Sequence, residues 1–571
     1  MNIASSIRRL SLVFMALFIA ASIGLVYWQV VVAQQVASNP VLTLGRKCLP
    51  DSTAKRGRIF DRNGVLLAYS EPIPANTNNP HAGNLCVYQR VYTHPSMAPV
   101  IGYYVSSTFC AETPFCEAGV EKQFDDYLSG NVGITGLNNT VNKALHLPPV
   151  GDDIYLTIDV RIQDLVAKNF NVEAPCPPGC NDVFTTDRGS VIVSDPHTGE
   201  ILALYSNPTY DNNRIASGDL DYLSSLLKNP EQPLLDRALN DCYVPGSTYK
   251  TMTLMAGLDT GKFTLDTPFY NDGDPTHYQA LKVRLGEGNN TELFGPVGNN
   301  IDGYTFHYPV PLLYGYSHSD NIIFAQVGAH TGASDWLSYN RAFYVGRQIP
   351  FDLPVNVSTV TPQPQKNLCA TTAPPETPLS VVQLAENSYG QGVDFVTPMQ
   401  MSLLDNAAAN DGQLMRPTLI EKIVDPSLSV LKSFSATSLG NPISQQTATQ
   451  MRDAMYSVVA CGSGSLNRVQ LSYQYAPWSV IGKTGTGQVD ATGNTPAESW
   501  FITAAPYTYQ SNDKPAITIV AMKENGGEGA YANGPMLRNL YNSIFSQGII
   551  KVQPPPQPDP NFCVNTGLLG H

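Results

Sequence analysis

Between Leu10 and Val32, twenty-three residues near the N-terminus carry no charge. At about 1.5 Å per residue, a helix of that length spans the roughly 30 Å hydrocarbon layer of a bilayer, so the run is expected to cross a membrane. Tyr27 and Trp28 lie near its far end, where interfacial aromatics are favoured, and the only charges before it are Arg8, Arg9 and the terminal amine. The positive-inside tendency predicts a cytoplasmic tail over 1–9, an uncleaved single-pass anchor over 10–33, and an extracytoplasmic location in the cell membrane for everything after it. A cleaved signal peptide is the competing reading, but its apolar stretch normally covers only about 7 to 15 residues.

All ten cysteines, Cys48, Cys86, Cys110, Cys116, Cys176, Cys180, Cys242, Cys369, Cys461 and Cys563, follow this run, on the side where disulfides persist. An even number suits bridges, and close pairs such as Cys110/Cys116 and Cys176/Cys180 could staple short loops, although spacing does not fix connectivity. The nine histidines are scattered and no His-Glu-x-x-His occurs, so neither a metal nor a cofactor is expected. With 34 basic against 47 acidic residues the net charge is −13, which excludes a general nucleic-acid binder. Charged residues are only 14% of the chain while hydrophobic ones reach 43%, which excludes bulk disorder.

Texture divides the remainder. Residues 34–152 are short segments broken by Pro, Gly and Asn, with strand-like pieces such as 85–91 and no long amphipathic helix, which predicts a small irregular β-rich pedestal. Regular patterning begins at Asp153: 154–158 reads as a strand, Asp159 as the cap of a helix through Phe170, and Gly189 to Ser194 as a buried strand. Mixed strands and helices continue to residue 548, giving one large α+β domain over 153–548. Residues 549–571 form a Pro-rich tail in which Gln553 to Pro560 cannot be helix or central strand.

Three short motifs carry chemistry. A serine hydroxyl is a weak nucleophile until a neighbour takes its proton, and a lysine three residues later on a helix lies on the same face. Four Ser-x-x-Lys pairs occur, Ser52/Lys55, Ser225/Lys228, Ser247/Lys250 and Ser429/Lys432. The first sits among basic pedestal residues, the second ends at Asn229-Pro230 where a helix must stop, and the fourth alternates like a strand. Ser247/Lys250 follows Val244-Pro245-Gly246 and opens an apolar helix, which places the hydroxyl at a helix N-terminus that favours developing negative charge. In Ser319-Asp320-Asn321, the serine can relay a proton and the Asn amide can hold a substrate carbonyl. The one Lys-Thr-Gly, Lys483-Thr484-Gly485-Thr486, follows an apolar run and reads as an edge strand. There Lys483 supplies positive field, the Thr hydroxyls bond a carboxylate, Gly485 lets a ligand backbone approach, and the ligand adds as a further strand.

The ordered set resembles that of penicillin-binding proteins and class A β-lactamases. Over most of its length the chain is similar to monofunctional class B penicillin-binding proteins, the peptidoglycan D,D-transpeptidases. Arg56 to Ala68 and Gly119 to Gly130 resemble the two pedestal motifs of that family, and Asp195 to Ala203 and Tyr389-Gly390-Gln391-Gly392 with Thr397-Pro398 resemble transpeptidase-domain signatures. The resemblance implies a penicillin-binding and serine β-lactamase-like domain, an antiparallel sheet flanked by helices, standing on the pedestal behind one transmembrane helix. It implies that Ser247 attacks the penultimate D-alanine carbonyl of a stem peptide and is acylated by β-lactam antibiotics. By the same resemblance Lys250 is the base, Ser319 the proton relay and Asn321 a substrate clamp. Lys483, Thr484 and Thr486 hold the terminal carboxylate, and the N–H groups of Ser247 and Thr486 form the oxyanion hole.

It also implies a polytopic membrane glycan polymerase of the SEDS type as partner. Three same-site alternatives are a D,D-carboxypeptidase using water as acceptor, a β-lactamase, and a β-lactam-binding sensor or scaffold without crosslinking activity. The β-lactamase is disfavoured by the anchor and pedestal. About 120 residues between anchor and transpeptidase leave no room for a glycosyltransferase domain.

Overall fold

In the computed structural model, strand Ile517–Lys523 divides its side chains between two cores. Ile517, Ile519 and Ala521 pack with Val191, Val193 and Phe501 under helices Val160–Asn169 and Gly529–Ser546. Val520 and Met522 point the other way, to Ile192, Trp500, Ile502 and a body of helices that includes Lys250–Asp259 and Asn321–Thr331. Successive strand residues face opposite sides, so a strand between two apolar layers must be nearly apolar throughout, as this one is. It is the middle of five strands ordered Ile481–Gly487, Glu498–Ala505, Ile517–Lys523, Gly189–Ser194, Ile201–Asn207, with every neighbouring pair antiparallel. This is the antiparallel, helix-flanked sheet of the α+β expectation, and Ile481–Gly487, with Lys483, lies at its edge. The structure describes residues 3–27, 55–73, 87–105, 116–144, 149–173, 188–269, 281–284, 291–294, 310–363, 369–373, 377–465, 471, 476–489 and 495–568.

A second sheet crosses the boundary expected at 152/153. Its order is Val430–Ser433, Ile420–Val424, Asp153–Leu156, Ile59–Phe60, Leu66–Pro72, Tyr88–Tyr92. Asp153–Leu156 pairs parallel with Ile59–Phe60 and antiparallel with Ile420–Val424. The charges of the Arg56 to Asp61 motif fasten this junction. Arg58 donates its backbone N–H to Asp153 Oδ1 at 2.7 Å, and Asp61 accepts from Val160 N at 3.2 Å. Behind them Arg56 and Arg90 converge on the fully buried Glu121 at 3.0 and 2.5 Å, and Arg56 also bonds Asp125. A buried carboxylate is tolerable only with such pairing.

Two expectations need correction or completion. Where no long amphipathic helix was expected in 34–152, Gly133–Ala144 forms a helix of 12 residues. Its inward side is polar: Thr135 donates to Asp152 at 2.5 Å, and Asn139 bonds the carbonyls of Gly130 and Val150, both at 2.8 Å. At the N-terminus a helix runs Ile3–Val26, over the first part of the expected anchor, and residues 28–33 lie outside the described residues. Among the described residues no helix is long and apolar enough to cross a membrane.

Disulfides join Cys242 to Cys369 and Cys461 to Cys563, Cys116 is also bridged, and no cysteine among the described residues is free. Cys48, Cys86, Cys110, Cys176 and Cys180 lie outside them. The Cys461–Cys563 bridge draws the tail onto the large domain, where Phe562 meets the rings of Tyr456 and Tyr509 edge-on at 5.0 and 4.6 Å. The run Gln553 to Pro560 contains no helix or strand.

Candidate active site

Ser247 sits on a 3-10 turn, Gly246–Tyr249, that passes into the helix Lys250–Asp259 at Lys250, the tight turn into an apolar helix that the sequence suggests. Three residues per turn eclipse positions i and i+3, so the tighter winding brings Ser247 and Lys250 into line. Lys250 Nζ lies 2.7 Å from Ser247 Oγ. Two further contacts orient the amine, 2.6 Å to Asn321 Oδ1 and 2.8 Å to the Ser319 carbonyl. Both are pure acceptors, so the two N–H bonds of a neutral amine are used there and its lone pair faces the hydroxyls. Lys250 is fully buried, and this desolvation, helped by the Lys483 charge and opposed by Asp320, holds its ammonium well below the ordinary lysine range.

Ser319 stands between the two lysines. Its Oγ is 3.1 Å from Lys250 Nζ and 2.9 Å from Lys483 Nζ. It links helices Leu312–Ser317 and Asn321–Thr331 with a φ of 62°, a left-handed conformation uncommon for a residue with a side chain. Asp320 caps the second helix by accepting from Ile323 N at 3.1 Å, which fixes where Asn321 begins.

Lys483 bonds Ser319 and the Thr484 carbonyl, and its complete burial lowers its pKa to about 7. Gly485 does something other than expected. A Cβ there would meet Pro245 O at 2.9 Å and Thr248 N at 3.0 Å, so its bare side receives the protein's own nucleophile turn, not a ligand backbone. The reason is packing of backbone on backbone: a Cβ on Gly246, whose φ is 55°, would lie 2.6 Å from Thr486 C and O, and one on Gly487 2.2 Å from Val244 O. These three glycines let the turn bearing Ser247 abut the strand bearing Thr486.

Sequence reasoning missed two residues that hold this strand. Gln391 Nε2 donates to Thr486 O at 2.8 Å, and its Oε1 accepts from Gln488 N at 3.3 Å, the spacing a parallel neighbour strand would offer. The adjoining Gly390 carbonyl accepts from Gly246 N at 3.0 Å. Tyr389 to Gly392 was visible as a signature, but without a task. Ser463, with no motif around it, shares a 2.6 Å hydrogen bond with Thr484 Oγ1, and its backbone N–H donates to Ser317 O at 3.0 Å. All eight residues singled out from the sequence, Ser247, Lys250, Ser319, Asn321, Lys483, Thr484, Gly485 and Thr486, thus belong to one cluster.

A family model of the penicillin binding protein transpeptidase domain matches residues 189–544, which contain that whole cluster. The chain belongs to the penicillin-binding protein transpeptidase family. Among related proteins, this family member is 28% identical over 546 residues to peptidoglycan D,D-transpeptidase PbpA of Mycolicibacterium smegmatis, covering 93% of this chain and 96% of the relative. To peptidoglycan D,D-transpeptidase MrdA of Escherichia coli it is 26% identical over 480 residues, 77% of this chain and 66% of that one. A solved structure of penicillin-binding protein A from M. tuberculosis, as a penicillin G acyl-enzyme complex, superposes with a TM-score of 0.66 at 25% identity, over 86% of this chain and 99% of that chain.

Proposed function

We propose that this class B penicillin-binding protein is a serine D-Ala-D-Ala transpeptidase that crosslinks peptidoglycan stem peptides and is acylated by β-lactams. The observation that carries the reading is a serine 2.7 Å from a buried lysine whose ammonium is destabilised by burial and by a second lysine. Ser247 Oγ attacks the penultimate D-alanine carbonyl while its proton passes to the lone pair of Lys250. The oxyanion is held by the N–H groups of Ser247 and Thr486. Collapse breaks the peptide C–N bond, and the proton moves from Lys250 through Ser319 to the departing D-alanine nitrogen. Asn321, its oxygen held by Lys250, turns its amide nitrogen to a substrate carbonyl. Lys483, Thr484 and Thr486 hold the terminal carboxylate. An amine of a neighbouring stem then attacks the acyl-enzyme, gives up a proton through the same relay and releases Ser247. One oxyanion donor is typically worth about 3 to 4 kcal/mol, so the glycines that seat Thr486 against Ser247 matter.

In this reading residues 10–33 anchor the chain with 1–9 in the cytoplasm, 34–152 form the pedestal, 153–548 act outside the membrane, and 549–571 are the tail. Anchor and pedestal offer the surface for a polytopic SEDS-type glycan polymerase. Support comes from the uncharged run Leu10 to Val32 and from the resemblance of Arg56 to Ala68 and Gly119 to Gly130 to pedestal motifs. The test is intact mass after benzylpenicillin, and again after a D-Ala-D-Ala stem peptide with an acceptor amine, for wild type and Ser247→Ala. A penicilloyl adduct on wild type alone, with amide product, is expected. Labelled Ser247→Ala would refute the assignment, hydrolysis in place of amide formation would indicate a carboxypeptidase, and an adduct without peptide turnover a sensor or scaffold.

A further inference from the structure

One cavity away from the Lys483 strand reaches both ends of the nucleophile turn. It has a volume of about 260 Å³ and lies between helix Ala333–Ala342 and the segments 345–347 and 359–361. On its helix wall, Asn340 Oδ1 accepts from the hydroxyl of the fully buried Tyr249, the last residue of the turn Gly246–Tyr249. On another wall, the Val360 carbonyl accepts from Asn387 Nδ2 at 2.8 Å. The Asn387 carbonyl accepts from Gly390 N at 3.0 Å, and the Gly390 carbonyl from Gly246 N, the first residue of the turn, also at 3.0 Å. Every group in these two chains is buried, and close-packed interiors pass on displacements that a solvated surface would absorb.

The lining has a charge of its own. In a chain of net charge −13, the exposed Arg341 and Arg347 border this cavity, and among the described residues no acidic side chain lines it. Arg347 donates to the Arg341 carbonyl and lies 4.6 Å from the Tyr344 ring, and among the described residues it pairs with no carboxylate. The Thr361 hydroxyl adds a donor, its contacts to Gln363 and Thr359 being no shorter than 3.3 and 3.5 Å. Leu337, Val345 and Val360 supply apolar surface, and a Cβ on Gly346 would meet nothing within 4 Å, so the space beside it is open. Guanidinium forks match carboxylate and phosphate oxygens, and apolar walls with a few polar groups suit a small molecule.

We propose that this cavity is an effector site for a small organic oxyanion, a carboxylate or phosphate on a short apolar body, whose binding raises the acylation rate of Ser247. A ligand shifts a rate only by binding one state of the protein better than another. The cavity exists in the state in which its walls hold the turn and Ser247 Oγ lies 2.7 Å from Lys250 Nζ, so filling it favours that state over any in which the turn is displaced. The effect on rate rests on the proposed role of Ser247; the binding site does not.

The test uses the full-length protein in nonionic detergent, with phenyl phosphate and phenylacetate as probes and benzyl alcohol as their neutral counterpart. Binding is read by titration calorimetry, and acylation by stopped-flow labelling with a fluorescent penicillin, for wild type, Arg347→Met and Leu337→Trp. Arg347 is exposed and Leu337 only half-buried, so both variants should fold, with the penicilloyl adduct as the check. At least one anion should bind wild type while benzyl alcohol does not, and should speed acylation by about fivefold or more, the low end of ordinary allosteric coupling. Arg347→Met removes a cation and Leu337→Trp fills the space, so each should abolish binding and with it the response. Failure of both anions to bind wild type, equal binding of benzyl alcohol, or binding that survives in either variant overturns the site. Binding with an unchanged acylation rate overturns the coupling. Inhibition that persists in Arg347→Met puts the anion in the catalytic cleft and also overturns the proposal. If wild type forms no adduct, the role of Ser247 fails, while calorimetry still decides the site.

Discussion

Replacing Lys483 by Met removes the one cation that disfavours charge on Lys250. Both Nζ atoms bond Ser319 Oγ, at 3.1 and 2.9 Å, so they lie no more than about 6 Å apart. At an effective dielectric constant of about 20, two unit charges at about 6 Å repel by roughly 3 kcal/mol. Lys483 is charged below about pH 7, and its charge helps burial hold the Lys250 ammonium down. The acid limb of the second-order acylation rate with a fluorescent penicillin should therefore move to higher pH in Lys483→Met, with each profile normalised to its own plateau because the proposed carboxylate contact is lost as well. An acid limb at the wild-type pH would show that Lys250 is not the base or does not feel Lys483. Stability should move oppositely to rate. Lys483 loses its proton near 7 in the fold but at 10.5 in its unperturbed state, so between those values folding releases a proton and this residue's contribution improves as pH rises. At pH 7 the penalty is still on the order of 4 kcal/mol. Its removal should raise the Tm of Lys483→Met by a few degrees in scanning fluorimetry at that pH.

Gly246→Ala should fold yet lose acylation by about 100-fold or more in stopped-flow labelling, because the new methyl group must push Thr486 away from the oxyanion position; a wild-type rate would show that this contact is soft. Glu121→Gln leaves Arg56 and Arg90 facing a neutral amide and should cost about 3 to 5 kcal/mol in urea unfolding of the protein, an unchanged midpoint counting against the network.

What the sequence reveals about this site follows the range of the interactions. Ser247/Lys250 and Lys483 to Thr486 are legible because fixed short spacings on a turn and a strand determine which atoms meet. Gln391 and Thr486 are 95 residues apart, and Ser463 and Thr484 21, so each pairing exists only once helices and sheet have docked. Gly485 was assigned a ligand because a bare strand residue signals close approach, but not by what; the turn around Pro245 is what fills it. Helix Gly133–Ala144 escaped for a different reason. Ile134, Leu137 and Val141 are 61%, 71% and 57% exposed while Thr135 and Asn139 are buried, the reverse of the amphipathic rule by which helices are read. The alternation of Ile517 to Met522 could be read because both cores demand apolar side chains.

The bridge from Cys461 to Cys563 also sets an order of events. Cys461 is followed by Gly462 and Ser463, the segment that grips Ser317 and Thr484, yet its sulfur partner comes 102 residues later. A growing chain possesses Ser247, Lys250 and even Lys483 well before it possesses Cys563. Until that thiol has been made and oxidised, the clamp on strand Ile481–Gly487 has no covalent lock. The tail thus marks completion, and maturity of the catalytic cleft is tied to the redox state that the emerging chain meets.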